Sequence, residues 1–126
     1  MITHLSWRDV EPKAAMPFAL RMVQRQGDGA HYLAPTKLSV IVSAAVEDDG
    51  HGWGHLSVAH PNRMPLWSEM RALKECFVGD REALTVYPRS GNYVNIHKHC
   101  LHLFWRLDGT WPLPEFSGVV GGMRTI

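Results

Sequence analysis

Hydrophobic and polar positions divide the chain into segments of two periods. Residues 38–47 (LSVIVSAAVE) form an almost unbroken apolar run rich in β-branched side chains. The run is too short for a surface helix and predicts a central strand buried on both faces or nearly so. Residues 53–60 (WGHLSVAH) instead alternate, with Trp53, His55, Ser57 and Ala59 on one side and Leu56, Val58 and His60 on the other. The intervening DDGHG supplies acidic residues and glycines able to take positive φ, so the two runs predict an antiparallel hairpin. Upstream, residues 18–25 (FALRMVQR) followed by an Asp28-Gly29 turn signal predict a further hairpin arm.

The period changes at residues 66–78 (LWSEMRALKECFV). Apolar residues at Leu66, Met70, Leu73 and Phe77, with Trp67, keep the 3-and-4 spacing of an amphipathic helix. Pro65 before it, Glu69 in the first turn and Gly79 past its end mark the termini, and Arg71 and Glu75 are spaced to pair on its solvent side. Residues 83–87 (ALTVY) and 101–106 (LHLFWR) predict two more strands. Residues 1–17 predict an irregular arm without helix, tacked down by Trp7. Residues 108–126, with Pro112, Pro114 and several glycines, predict an extended tail without regular pairing. The sum is a single α+β domain over residues 1–126, an antiparallel sheet of four to five strands with one amphipathic helix packed on one face.

Composition narrows the partners. With 13 Lys and Arg against 12 Asp and Glu, the net charge of +1 gives no whole-molecule field for nucleic acid or an anionic membrane. Two cysteines, Cys76 and Cys100, match neither a disulfide framework nor a CxxC motif, and read as reduced thiols. The N-terminus lacks the pattern of a signal peptide, and the longest apolar run is about half of the roughly 20 residues a membrane helix needs. The expected location is the cytoplasm, with no membrane partner.

Residues 97–102 (HKHCLH) crowd three histidines and a cysteine together. As one strand, His97 and His99 would share a face with Leu101, Leu103 and Trp105, while Cys100 and His102 point the other way. One reading is a zinc site built from His97, His99 and a hairpin histidine such as His55, since neutral imidazoles bind the ion tetrahedrally. The favoured reading has no cofactor: Asn95 and His97 shape a turn, and Cys100 and His102 are core residues of a buried strand. Ser57 with His55 or His60 and Asp48 has the residue types of a hydrolase but no nucleophile elbow. Residues 118–122 (GVVGG) do not make a phosphate-binding GxGxxG.

Read together, His55-Leu56-Ser57-Val58, Arg63-Met64-Pro65-Leu66-Trp67-Ser68-Glu69-Met70, Tyr93-Val94-Asn95-Ile96-His97 and Cys100-Leu101-His102-Leu103-Phe104-Trp105 resemble a family of small uncharacterised proteins met in phages and prophages. The resemblance covers about residues 53–107 and implies no activity. Leu66 stands where that family tends to place a threonine, removing a side-chain N-cap usually worth about 1 kcal/mol, so the helix start needs another acceptor. Lys98 replaces the turn proline. Arg63, Trp67, Tyr93, Asn95, His97 and His102 would form either a buried polar network or a shallow site near the helix N-terminus.

Three functions follow as expectations. Ranked first is an accessory protein of phage origin that binds a host protein, such as a component of an antiviral defence system, without catalysis of its own. Arg63, Trp67, Tyr93, Asn95, His97 and Trp111 are its candidate contacts, and five tryptophans exceed what one core of this size holds. The second is a metal-dependent hydrolase or nuclease using His97, His99 and His55. The third is a nucleic-acid-binding module with Arg63, Arg71, Lys74, Arg81, Arg89 and Lys98 on one basic face.

Overall fold

The computed structural model describes residues 5–46, 51–88, 99–108 and 121–125. These form seven strands and one α-helix: β1 Arg21–Gln26, β2 Gly29–Leu33, β3 Ser39–Val46, β4 Gly52–Ala59, α1 Trp67–Phe77, β5 Leu84–Pro88, β6 Cys100–Arg106 and β7 Gly121–Thr125. All strands join one antiparallel sheet in the order β1-β2-β3-β4-β6-β5-β7. The α+β class holds, but the strand count exceeds the four to five that the sequence predicts.

Two strands account for the excess. The first hairpin is complete, β1 pairing with β2 around a two-residue turn at Gly27 and Asp28 rather than at Asp28-Gly29. β7 forms within the expected tail and pairs with β5 from Leu84↔Thr125 to Pro88↔Gly121. Glycines weaken a strand's local preference, but an unpaired β5 edge offers a row of backbone partners that this segment takes up. The N-terminal arm is also more ordered than predicted, with 3-10 turns at Trp7–Val10 and Pro17–Ala19. Ser6 and Asp9 cap the first reciprocally, the Ser6 N–H donating to the Asp9 carboxylate and the Arg8 N–H to the Ser6 hydroxyl. Trp7 N–H donates to Gly27 O, and Val10 is buried.

β3 departs from the expectation of burial on both faces. Val40, Val42 and Ala44 are buried, whereas Ile41 and Val46 are 48% and 43% exposed. Its register with β4 places Val40 beside Val58 and Val42 beside Leu56 on one face, and Ile41 beside Ser57 on the other. The first face is the core face. It continues through Tyr32 on β2 and through Leu101, Leu103 and Trp105 on β6, and the same core cluster holds Met70, Leu73, Cys76 and Phe77 of α1. Phe77 meets Tyr32 edge to face at 5.5 Å between ring centroids.

α1 begins and ends where its sequence signals fall. Gly79, at φ +76°, is the left-handed residue past the C-terminus, and its N–H and that of Val78 both donate to Lys74 O. At the N-terminus Leu66 makes no side-chain cap, and the Glu69 carboxylate accepts from Leu66 N–H at 2.7 Å. This is the carboxylate half of a capping box. Arg71 lies over the Trp67 ring at 5.6 Å.

Candidate functional site

Two groups of side chains carry chemistry among the described residues. The first lies on the outer face of the sheet, opposite the core. β4 and β6 pair from Trp53↔Arg106 to Ala59↔Cys100. Because side chains alternate, this register sets Trp53, His55, Ser57 and Ala59 against Arg106, Phe104, His102 and Cys100, respectively, on that face. A chain of polar contacts runs diagonally across it. Ser57 Oγ stands 3.3 Å from Cys100 Sγ, Cys100 Sγ 3.8 Å from His102 Nε2, and His102 Nδ1 2.8 Å from His55 Nε2. Aromatic rings wall it: His55 stacks on Phe104 at 4.5 Å and 8°, and on His102 at 5.0 Å, while Trp53 lies 5.2 Å from Phe104.

The groups of this chain, Cys100 buried and His55, Ser57 and His102 half-buried, are held uncharged. Burial, with a smaller contribution from neighbouring His102, pushes the His55 pKa down to about 3, and burial lowers that of His102. Burial pushes the Cys100 thiol up, against a smaller opposing effect of its contact with Ser57. At neutral pH the array therefore holds two neutral imidazoles and a protonated thiol. That is not the thiolate–imidazolium pair of an activated cysteine nucleophile.

The second group sits at the start of α1. Arg63 makes a bidentate pair with Glu69, at 2.7 and 3.1 Å, and also donates to Met64 O. Hydrogen bonding from Arg63, assisted by the Leu66 N–H, holds the Glu69 carboxyl below its ordinary range although desolvation acts the other way. Pro65 and Glu69 are buried, whereas Leu66 and Met64 are 52% and 40% exposed, and Trp67 is half-buried beside them.

The residues expected at a site separate accordingly. Arg63 and Trp67 share the helix-start corner. His55 joins His102 in the imidazole chain. His99 is placed by its backbone, its carbonyl accepting from His60 N–H at 3.2 Å. Tyr93, Asn95, His97 and Trp111 lie outside the described residues, as do Asp48, Arg89 and Lys98. Among the described residues no three His, Cys, Asp or Glu side chains converge as a metal cluster. Of the basic residues expected on one face, Arg63 is neutralised by Glu69, and Arg81 turns to the carbonyls of Val78 and Leu107. None of the described helices is long and apolar enough to cross a membrane.

Reading Cys100 and His102 as core residues captured the burial of Cys100, 5% exposed, but both stand on the outer face, outside the core cluster, and His102 is only half-buried. The available signal was a pair of matched spacings, His55-x-Ser57 and Cys100-x-His102, each placing two polar side chains on one face of a strand. Only the pairing of β4 with β6 brings them together.

No curated protein and no solved structure matches the chain. One family model, described as a domain of unknown function (DUF7694), matches residues 45–108, which include β4, α1, β5, β6 and both groups of side chains described above. With half of its length under that model, the chain belongs to the DUF7694 family.

Proposed function

We propose that the protein acts by binding another protein through the corner at the start of α1. The observation that carries this is Leu66, the most exposed of the large apolar residues described, held on a backbone that cannot easily rearrange. Its N–H is fixed by Glu69, and Glu69 is fixed in turn by the two terminal guanidinium nitrogens of Arg63. A pre-organised apolar anchor loses little conformational freedom on binding, and Met64 and Trp67 extend it while Arg63 and Arg71 rim it. The edge-to-face contact of Phe77 with Tyr32 supports α1 lying across the core face of the sheet, with this corner at its free end.

The resemblance to phage and prophage proteins makes a host protein the expected partner, such as a component of an antiviral defence system met in the bacterial cytoplasm. The reading assigns the protein no catalysis. Affinity capture from a bacterial lysate, run side by side with wild type and Leu66→Asp, tests it. The purified partner should bind the variant at least about tenfold more weakly, a loss of about 1.4 kcal/mol, with an unchanged circular dichroism spectrum. A partner that binds both alike removes the corner from the interface, and the absence of any stoichiometric partner tells against protein binding altogether.

A further inference from the structure

We propose that the outer face of β1, β2 and β3 carries a socket for a single neutral sugar ring. The register places Gln24, His31 and Ile41 in one row across the three strands and Gln26, Gly29 and Ser43 in the next. Neighbours within a row stand about 5 Å apart and the rows about 7 Å apart. Ala30, Tyr32, Val40 and Val42 take the core side of the same strands, so both rows lie on the side opposite the core. Because the middle of the second row is a glycine, no side chain rises between Gln26 and Ser43. A cavity of about 280 Å³ opens there, with Asp28 among its lining residues.

Two features of the socket are set before any ligand arrives. A β-carbon at residue 29 would stand 2.4 Å from Val42 O, so the close approach of two backbones holds that position to glycine and keeps the gap open. The His31 ring is pinned on the same face, its Nε2 lying 2.7 Å from Ser39 Oγ. A polar group whose orientation is already fixed loses little freedom when it meets a ligand.

The lining decides the class of ligand. Two carboxamides, the Ser43 hydroxyl and the His31 imidazole can each donate and accept hydrogen bonds, which matches a ring of hydroxyls that do the same. Among the described residues lining the cavity none is Lys or Arg, and Asp28 adds negative charge, so a phosphate or carboxylate ligand is disfavoured. Ile41, 48% exposed, supplies one apolar wall for the C–H face of a sugar. The volume falls at the low end for small-molecule sites and limits the occupant to about one ring. An open site of this size holds such a ligand in the millimolar range. The socket shares no residue with the docking corner, so neither reading depends on the other.

Titration of the isotope-labelled full chain with methyl glucopyranoside, methyl galactopyranoside and N-acetylglucosamine, each to tens of millimolar and followed by amide NMR, tests the assignment. At least one of the three should saturably shift the backbone amides of Gln24, Gly29, His31, Ile41 and Ser43 and the carboxamides of Gln24 and Gln26. Inorganic phosphate should leave those signals in place. Gln26→Ala and Ile41→Asp, both at exposed positions, should each weaken binding at least about fivefold, with the rest of the amide spectrum showing an intact fold. No saturable shift in the unmutated protein with any of the three sugars, shifts centred away from the socket, unchanged affinity in both variants, or a stronger response to phosphate each overturns the proposal.

Discussion

Gly54 lies directly opposite Trp105 in the β4–β6 ladder, and a β-carbon at residue 54 would run into the benzo edge of the indole. Trp105 is fully buried, so the ring occupies the space above the glycine that a side chain would otherwise take. Gly54→Ala should therefore destabilise the fold by about 1–3 kcal/mol, the usual cost of overpacking a closed core. Combining it with Trp105→Leu, which clears the ring, should cost less than the sum of the two single changes. Urea unfolding midpoints of the four proteins check this; strict additivity would mean that the residues do not meet.

The Arg63–Glu69 pair gives stability an acid limb. The folded-state pKa of Glu69 is depressed, chiefly by hydrogen bonding from Arg63. Its stabilisation is thus fully present above the ordinary carboxyl value of 4.5 and is lost as pH falls through the depressed value. Glu69→Gln should cost about 1–2 kcal/mol at neutral pH, where it removes charge-assisted bonds. The gap from wild type should narrow as pH drops below 4.5. Thermal melts across pH test the sign; a gap that widens in acid refutes the assignment.

The two leucines of the helix region should behave oppositely. Leu73 is fully buried in the core cluster. Leu73→Ala should cost about 2–5 kcal/mol, as large-to-small changes in closed cores do. Leu66, at 52% exposed, should tolerate alanine within about 0.5 kcal/mol. Equal losses in chemical denaturation would show that the corner is covered.

Thr85 is fully buried on the core side of β5, opposite Leu103, and its hydroxyl finds no partner among the described residues. An unsatisfied buried hydroxyl costs free energy that an isosteric methyl does not. Thr85→Val should leave stability unchanged or raise it by about 1 kcal/mol. A clear loss would reveal a hydrogen bond at that oxygen.

β7 covers the edge of β5. A chain shortened by residues 121–126 should expose that ladder and self-associate with rising concentration, as unprotected edges do. Light scattering after size-exclusion chromatography compares it with the full chain. A truncated protein that stays as dispersed as the parent would show the edge to be protected in some other way.

Much of the fold was legible because its signals are local. The single stripe of Met70, Leu73 and Phe77, closed by Pro65 and Gly79, fixes a helix whatever surrounds it. The alternation of residues 53–60 separates the two faces of β4, of which the structure buries the one that carries Leu56 and Val58. Even the half-cap at Leu66 is written in the chain, since Glu69 three residues on is the partner a capping box requires.

What the tertiary structure alone decided is which elements are neighbours. Ile41 is exposed although its sequence surroundings are those of an interior strand, because only one face of β3 meets the core. Residues 121–125 become a strand because β5 offers them an edge. Above all, His55 and Ser57 face His102 and Cys100 across strands whose sequence separation exceeds forty residues. Periodicity assigns each side chain to a face of its own strand. The choice of partner strand and register belongs to the burial of the whole sheet, which no local pattern encodes.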